Sequence, residues 1–213
     1  MRHPHRERRH DRADIGWKGE KRMTDWTSLS FVVVDVEGNG GQPPDLVELA
    51  AVPVIGGVIG KPLSWLVKPD APITHFATRI HGLTNEAVAD CPSFEAVTRN
   101  VLAALNADAL VAHNAHVDLG VLTRKLPDWT PPEVFDTLKL ARRLVPGLDS
   151  YRLESLTKAF SLSEELPNDL TPHRATYDAL VTARLLTQLA TKAPNLKELR
   201  GQPPREADED ALF

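Results

Sequence analysis

Two acids close a run of valines: in FVVVDVEGNG, residues 31–40, Asp35 and Glu37 stand one residue apart. Side chains alternate faces along a strand, so both carboxylates share a face with Phe31 and Val33. Like charges this close raise each other's pKa and resist burial, which is costly unless a cation lies between them. A plainer reading of an isolated Asp-x-Glu is a strand that ends at Val34 and runs into a solvated loop. Two later stretches bear on the choice. HNAHVD, 113–118, follows an apolar run and puts Asp118 at the start of a helix, while PHRATYDA, 172–179, puts His173 at the mouth of a long helix and Asp178 just inside it. Singly, His113 or Asn114 reads as a loop hydrogen-bonder, Asp118 as a cap and Asp178 as a solvated helix residue. Together, three acid-bearing elements each abut an apolar strand or helix that must pack into one core.

The elements that would position these residues follow from periodicity. LVELAAVPVIGGVIGKPLSWLVKP reads as two strands joined near Gly56 and Gly57. Phe94, Val97, Val101, Leu102 and Leu105 recur at helical spacing behind Ser93, a suitable N-cap. ALVAH, 109–113, is a short buried strand, and a short helix follows over 117–126. EVFDTLKLARRLVP turns from strand into a helix that Pro146 and Gly147 help to end. Further helices are expected over 151–160 and 176–190. Strands come first as a meander and then alternate with helices, the pattern of a mixed α/β layer fold around one main sheet.

Composition bounds the possibilities. At 213 residues the chain suffices for one substantial domain with tails. A net charge of -4 argues against a generally basic coat for long nucleic acids, yet allows a local basic groove or an acidic site that works through metal. Cys91 is the single cysteine, which excludes an internal disulfide and fits a reducing compartment. No apolar stretch is long enough to span a bilayer and no signal-peptide pattern is visible, so a cytoplasmic location is expected. Residues 1–28 are basic and lack apolar periodicity; they read as a disordered tail, with a nucleic-acid arm or a true start at Met23 as alternatives. The domain is expected over 29–192, and 193–213 forms a polar, acidic tail.

In this order, DVEGNG, HNAHVD and HRATYDA resemble the three motifs of the DEDDh 3′-to-5′ exonucleases, the family of the proofreading epsilon subunit of bacterial DNA polymerase III and of ribonuclease T. IHGLT at 80–84 and FDTLKLAR at 135–142 resemble further segments of that family. The resemblance covers roughly residues 29–192. It implies a ribonuclease H-like fold with a five-stranded mixed sheet flanked by helices. It also implies that Asp35, Glu37, Asp118 and Asp178 are metal ligands and that His173 is the general base. Hard oxygen ligands suit Mg²⁺ or Mn²⁺. Two such ions, about 3.5 to 4 Å apart, would hold the scissile phosphate, and a histidine can take the proton from the attacking water.

The chain departs from the family at Gly38, where a Thr usually follows the Glu, which leaves end recognition to backbone amides or to Asn39. His116 and Val117 replace the bulky residue that usually precedes the second-motif Asp. Gly38, Asn39, His81, Leu83 and Asn114 are candidate substrate contacts, and Arg174 is a candidate phosphate contact against a solvated or salt-bridged role. The expected activity is release of nucleoside 5′-monophosphates from 3′ ends of single-stranded or frayed DNA, in proofreading or repair. Alternatives are an RNA-trimming enzyme or oligoribonuclease, separated from the first by treatment of one 2′-OH, and a silent end-binding module. Any proofreading would act in trans with a DNA polymerase. The ending EDALF resembles peptides that dock on the bacterial sliding clamp, without their leading Gln.

Overall fold

The β-branched run SFVVVDVEG forms the central strand β1 (Ser30–Gly38), with Phe31 to Val34 fully buried. In the computed structural model the described residues are 25–201. Of the segment expected as a basic tail, residues 25–28 are described: Trp26–Ser28 forms one turn of 3-10 helix with Trp26 packed against the core, so the folded part starts before residue 29. Residues 1–24, with Met23, and the clamp-like ending lie outside the described residues. β2 (Leu46–Ile55) returns antiparallel to β1, then turns through Gly56 and Gly57 into β3 (Val58–Ile59) and β4 (Leu63–Leu66). After α1 (His75–His81) and α2 (Phe94–Ala104), β5 (Ala109–Ala112) adds parallel to β1. α3 (His116–Lys125), β6 (Glu133–Asp136) and α4 (Thr137–Leu144) follow, with β6 parallel to β5. α5 (Leu153–Ala159), α6 (Ala175–Ala190) and α7 (Leu196–Arg200) complete the described chain. The sheet order is β3-β2-β1-β5-β6, with β4 also on β2.

The sheet therefore has six strands where five were expected. The third expected strand is split, because residues 60–62 oppose only Val52 and Pro53, an extra residue that makes a bulge. Pro62 lacks an N–H for the ladder, and the Gly60 N–H bonds the Pro53 carbonyl at 2.8 Å. A Cβ on Gly60 would sit 2.9 Å from Pro53 Cγ, so the crossing needs glycine. A second difference lies at the far end. α7 packs Leu196 and Leu199 into the core, so the folded unit extends beyond residue 192.

β1 separates two apolar layers. Phe31 and Val33 face α5 and α6, packing with Leu156, Leu180 and Leu185. Val32 and Val34 face α2 and α3, packing with Phe94, Val101 and Leu122. This alternation aims Asp35 and Glu37 at α6. α6 is apolar around most of its surface and is buried against β1 and β2, which brings Asp178 in its first turn over the same sheet face. No described helix is long and apolar enough to cross a membrane.

Candidate active site

Asp35, Glu37 and Asp178 converge: each offers one carboxylate oxygen, and these atoms lie within 4.8 Å of one another. All three are partly buried, so the cluster opens to solvent on one side. Asp118 is not in that trio but is buried beside it, in the first turn of α3. Its Oδ1 accepts the Val36 N–H at 3.1 Å. That N–H is available because β1 pairs with β5 only over Phe31 to Val33, leaving the rest of this edge to the second-motif helix.

Burial and mutual repulsion act on all four acids. Asp35 is held well above the usual carboxylate range, by burial first and then by Asp118, Asp178 and Glu37. Glu37 is raised to about 8, by burial and then by Asp178 and Glu48. Asp118 is raised to about 7 by burial, against the stabilising hydrogen bonds to its carboxylate. Asp178 is raised to about 6, again by burial, with the charge and backbone N–H of His173 pulling the other way. A site this reluctant to ionise alone is suited to divalent cations, whose charge offsets the repulsion. The donor set is all oxygen, as Mg²⁺ or Mn²⁺ requires.

His173 is exposed and adopts a left-handed backbone (φ 61°) just before α6. It lines one cavity with Asp178, Tyr177 and Leu153. Arg174, next in the chain, turns inward and makes a two-pronged pair with Glu48 of β2, Nε to Oε2 at 2.9 Å and Nη2 to Oε1 at 2.7 Å. Glu48 also accepts the Ala175 N–H at 3.1 Å, capping α6. Glu48 lies directly across the ladder from Glu37, so a single buried carboxylate ties the histidine loop to the acidic strand. Arg174 is therefore salt-bridged. Glu48 was missed by the sequence reading, although a lone charge inside LVELAAV is the signal that could have marked it.

The remaining candidates divide. Asn39 is buried and its side chain is spent on its own loop: Oδ1 accepts the Gly41 and Asp45 N–H groups and Nδ2 donates to the Ala71 carbonyl. It orders the turn after Glu37. Leu83 is buried in a small cluster with Val47, Ile73 and Val88. His81 is buried; its Nδ1 accepts the Leu83 N–H at 3.0 Å, which leaves Nε2–H to donate to the Gly38 carbonyl at 3.2 Å. Burial lowers its pKa, in keeping with that neutral form. Gly38 sits at a bulge in β1 pairing, where a Cβ would meet Pro44 Cβ at 3.0 Å. The space a threonine would need is thus crowded by the following loop. With His81 it lines a shallow cavity bordered by Glu37, Phe76, Ile80 and Val117. Asn114 takes a left-handed turn (φ 68°), which its residue type tolerates, and its N–H bonds Asp136 at 3.1 Å. Asp136, also missed, caps α4 through the Leu138 N–H.

Comparison with known proteins adds to this geometry. The chain matches the RNase_T family model, described as Exonuclease, over residues 32–186. It is 38% identical over 175 residues to Exodeoxyribonuclease 10 of Escherichia coli, covering 80% of this chain and 75% of that one. It is 34% identical over 185 residues to the 3′-5′ exonuclease DinG of Bacillus subtilis, where 80% of this chain spans only 19% of that protein. Among solved structures, Exonuclease X in complex with 5′ overhanging duplex DNA superposes with a TM-score of 0.67 and 37% identity, over 79% of this chain and 98% of that one. A structure of Exonuclease I, at 22% identity and a TM-score of 0.65, shares the fold over 79% of this chain and 42% of its own. The sheet and its flanking helices form a ribonuclease H-like fold.

Proposed function

The chain belongs to the RNase_T exonuclease family, of the DnaQ-like 3′-to-5′ superfamily, and from that premise we propose that it removes nucleoside 5′-monophosphates from 3′ ends of single-stranded or frayed DNA. The convergence of Asp35, Glu37 and Asp178 beside His173 carries this reading. DNA is preferred over RNA because Exodeoxyribonuclease 10 and Exonuclease X are, by name or by bound ligand, enzymes of DNA.

The reaction is hydrolysis: water attacks phosphorus, the bond to the 3′ oxygen of the preceding nucleotide breaks, and that oxygen leaves as a new 3′-hydroxyl. Asp35, Glu37 and Asp178 would hold divalent cations, with Asp118 beside them oriented by the Val36 N–H. When bound, such ions supply charge neutralisation at the phosphate and make water more acidic. His173 takes the proton from the attacking water. The Glu48–Arg174 pair fixes the start of α6 and hence the position from which His173 works. His81 holds the Gly38 carbonyl, and Asn39 holds the loop beyond it, so the terminal nucleotide meets a preformed turn.

A 5′-labelled single strand of DNA, and its RNA counterpart, test the reading. A ladder shortening from the 3′ end of DNA, dependent on Mg²⁺ or Mn²⁺, is expected. A faster ladder on RNA would overturn the DNA preference, and internal cuts would overturn the exonuclease polarity.

A further inference from the structure

β1 and β5 lie side by side and parallel, so the acids at the end of β1 and the HNAHVD loop after β5 open at the same edge of the sheet. In open α/β sheets ligands collect at the carboxyl ends of strands. A cavity of about 590 Å³ lies there, lined by Asn114, Leu138, Arg142, Tyr151, Arg152 and Leu153. Leu153 also lines the cavity that holds His173 and Asp178, so the two hollows meet at that side chain.

The larger hollow carries two arginine side chains, Arg142 and Arg152. Arg174 and Arg200 are paired with Glu48 and Glu133, and Lys125 with Asp45 and Asp70. Arg142 and Arg152 are exposed and form no ion pair among the described residues. Asp149, at the same cavity, pairs with neither. The Arg142 guanidinium stands 6.0 Å from the centre of the Tyr151 ring, which steadies it without cancelling its charge. The wall is itself anchored: Tyr151 Oη donates to the Val145 carbonyl at 2.9 Å, and the Tyr151 carbonyl lies 3.0 Å from His113 Nε2. Arg142, stacked near the Tyr151 ring, and the exposed Arg152 offer forked donors that match phosphate oxygens.

We propose that this groove, walled by Arg142 and Arg152, holds the phosphodiester backbone of the strand running back from the 3′ end under cleavage. The assignment rests on the nuclease reading above. It makes the two arginines sequence-independent contacts that keep a long strand in place between successive cuts.

The test is steady-state cleavage of a 5′-labelled 20-nucleotide DNA strand by the full chain, with log kcat/KM followed against log salt from 50 to 200 mM. Each phosphate contact on a single strand adds about 0.7 to the slope, so the Arg142→Gln/Arg152→Gln variant should lose about 1.4 and be about sevenfold less salt-sensitive over that range. The corresponding Lys variant, which keeps the charge, should recover the slope, and Arg99→Gln on α2 should leave it unchanged. An active wild type whose slope the double Gln variant shares would overturn the groove assignment alone. A wild type that cuts no strand would overturn the nuclease reading beneath it. An equal loss in the Arg99 variant would reduce the effect to general surface charge and would also overturn the groove.

Discussion

Replacing Arg174 with Met should destabilise the metal-free protein far more than replacing Glu48 with Gln, although both break the same pair. Glu48 has 6% of its side chain exposed, against 36% for Arg174. Without the guanidinium, a buried carboxylate is left with the Ala175 N–H and faces Glu37 across the ladder. Breaking a buried pair in this way costs about 3 to 5 kcal/mol, and the partial exposure of Arg174 places the loss near about 3 kcal/mol. Glu48→Gln keeps an acceptor for Ala175 and removes a negative charge from the cluster, while Arg174 can turn to water. Its cost should be about 1 kcal/mol, the worth of an ordinary hydrogen bond. For a domain of this size each kcal/mol shifts the melting point by about 2 to 4 °C, so the expected drops are about 6 to 12 °C and about 2 to 4 °C. Chemical and thermal unfolding in chelator measure both. Equal losses in the two variants, or a loss below about 1 kcal/mol for Arg174→Met, would refute the reasoning that burial of Glu48 sets the energetics.

Three other outcomes are expected. Asp178→Asn should abolish metal-dependent cleavage while the metal-free protein melts at the same temperature or higher, because one member of a repelling cluster is removed; wild-type turnover in this variant would contradict the site. His173→Ala should lower kcat by about 10² to 10⁴ with KM and Mn²⁺ affinity largely kept, as expected for loss of a general base; a change confined to KM would contradict the role. In chelator, stability should fall between about pH 6.5 and 8, since raised carboxyl pKa values favour the folded state only while the groups are protonated. The lowered pKa values of buried His81 and half-buried His113 act in the opposite sense, but below that window. Melting curves at stepped pH, with and without Mg²⁺, check this. A flat chelator profile over the window would contradict it.

The parts of the site legible in the sequence are those governed by local period and chemistry. The two-residue alternation of FVVVDVE determines which face carries Asp35 and Glu37, and that face is the one α6 covers. The helix after Ser93 and the strand at Ala109–Ala112 follow from spacing alone. Features built from distant residues were not legible. Arg174 and Glu48 are 126 positions apart, and nothing local to either names the other. Asn39 is a loop tie because Asp45 and Ala71 return to it, and Leu83 is core because Val47 and Ile73 do. The divided third strand arises where Gly60 and Pro62 meet Pro53 of the neighbouring strand, a clash visible only once the two are paired.

The central claim is that the carboxylates gathered at the end of β1 and the start of α6 are an exonuclease centre. A 3′-labelled single strand tests it directly, by following the first labelled product with Mg²⁺, with chelator, and with Asp35→Asn in place of wild type. Immediate release of a labelled nucleoside 5′-monophosphate is expected with Mg²⁺, and none in the other two conditions. Release that persists in chelator or in the Asp35 variant, or a first product longer than one nucleotide, would contradict it.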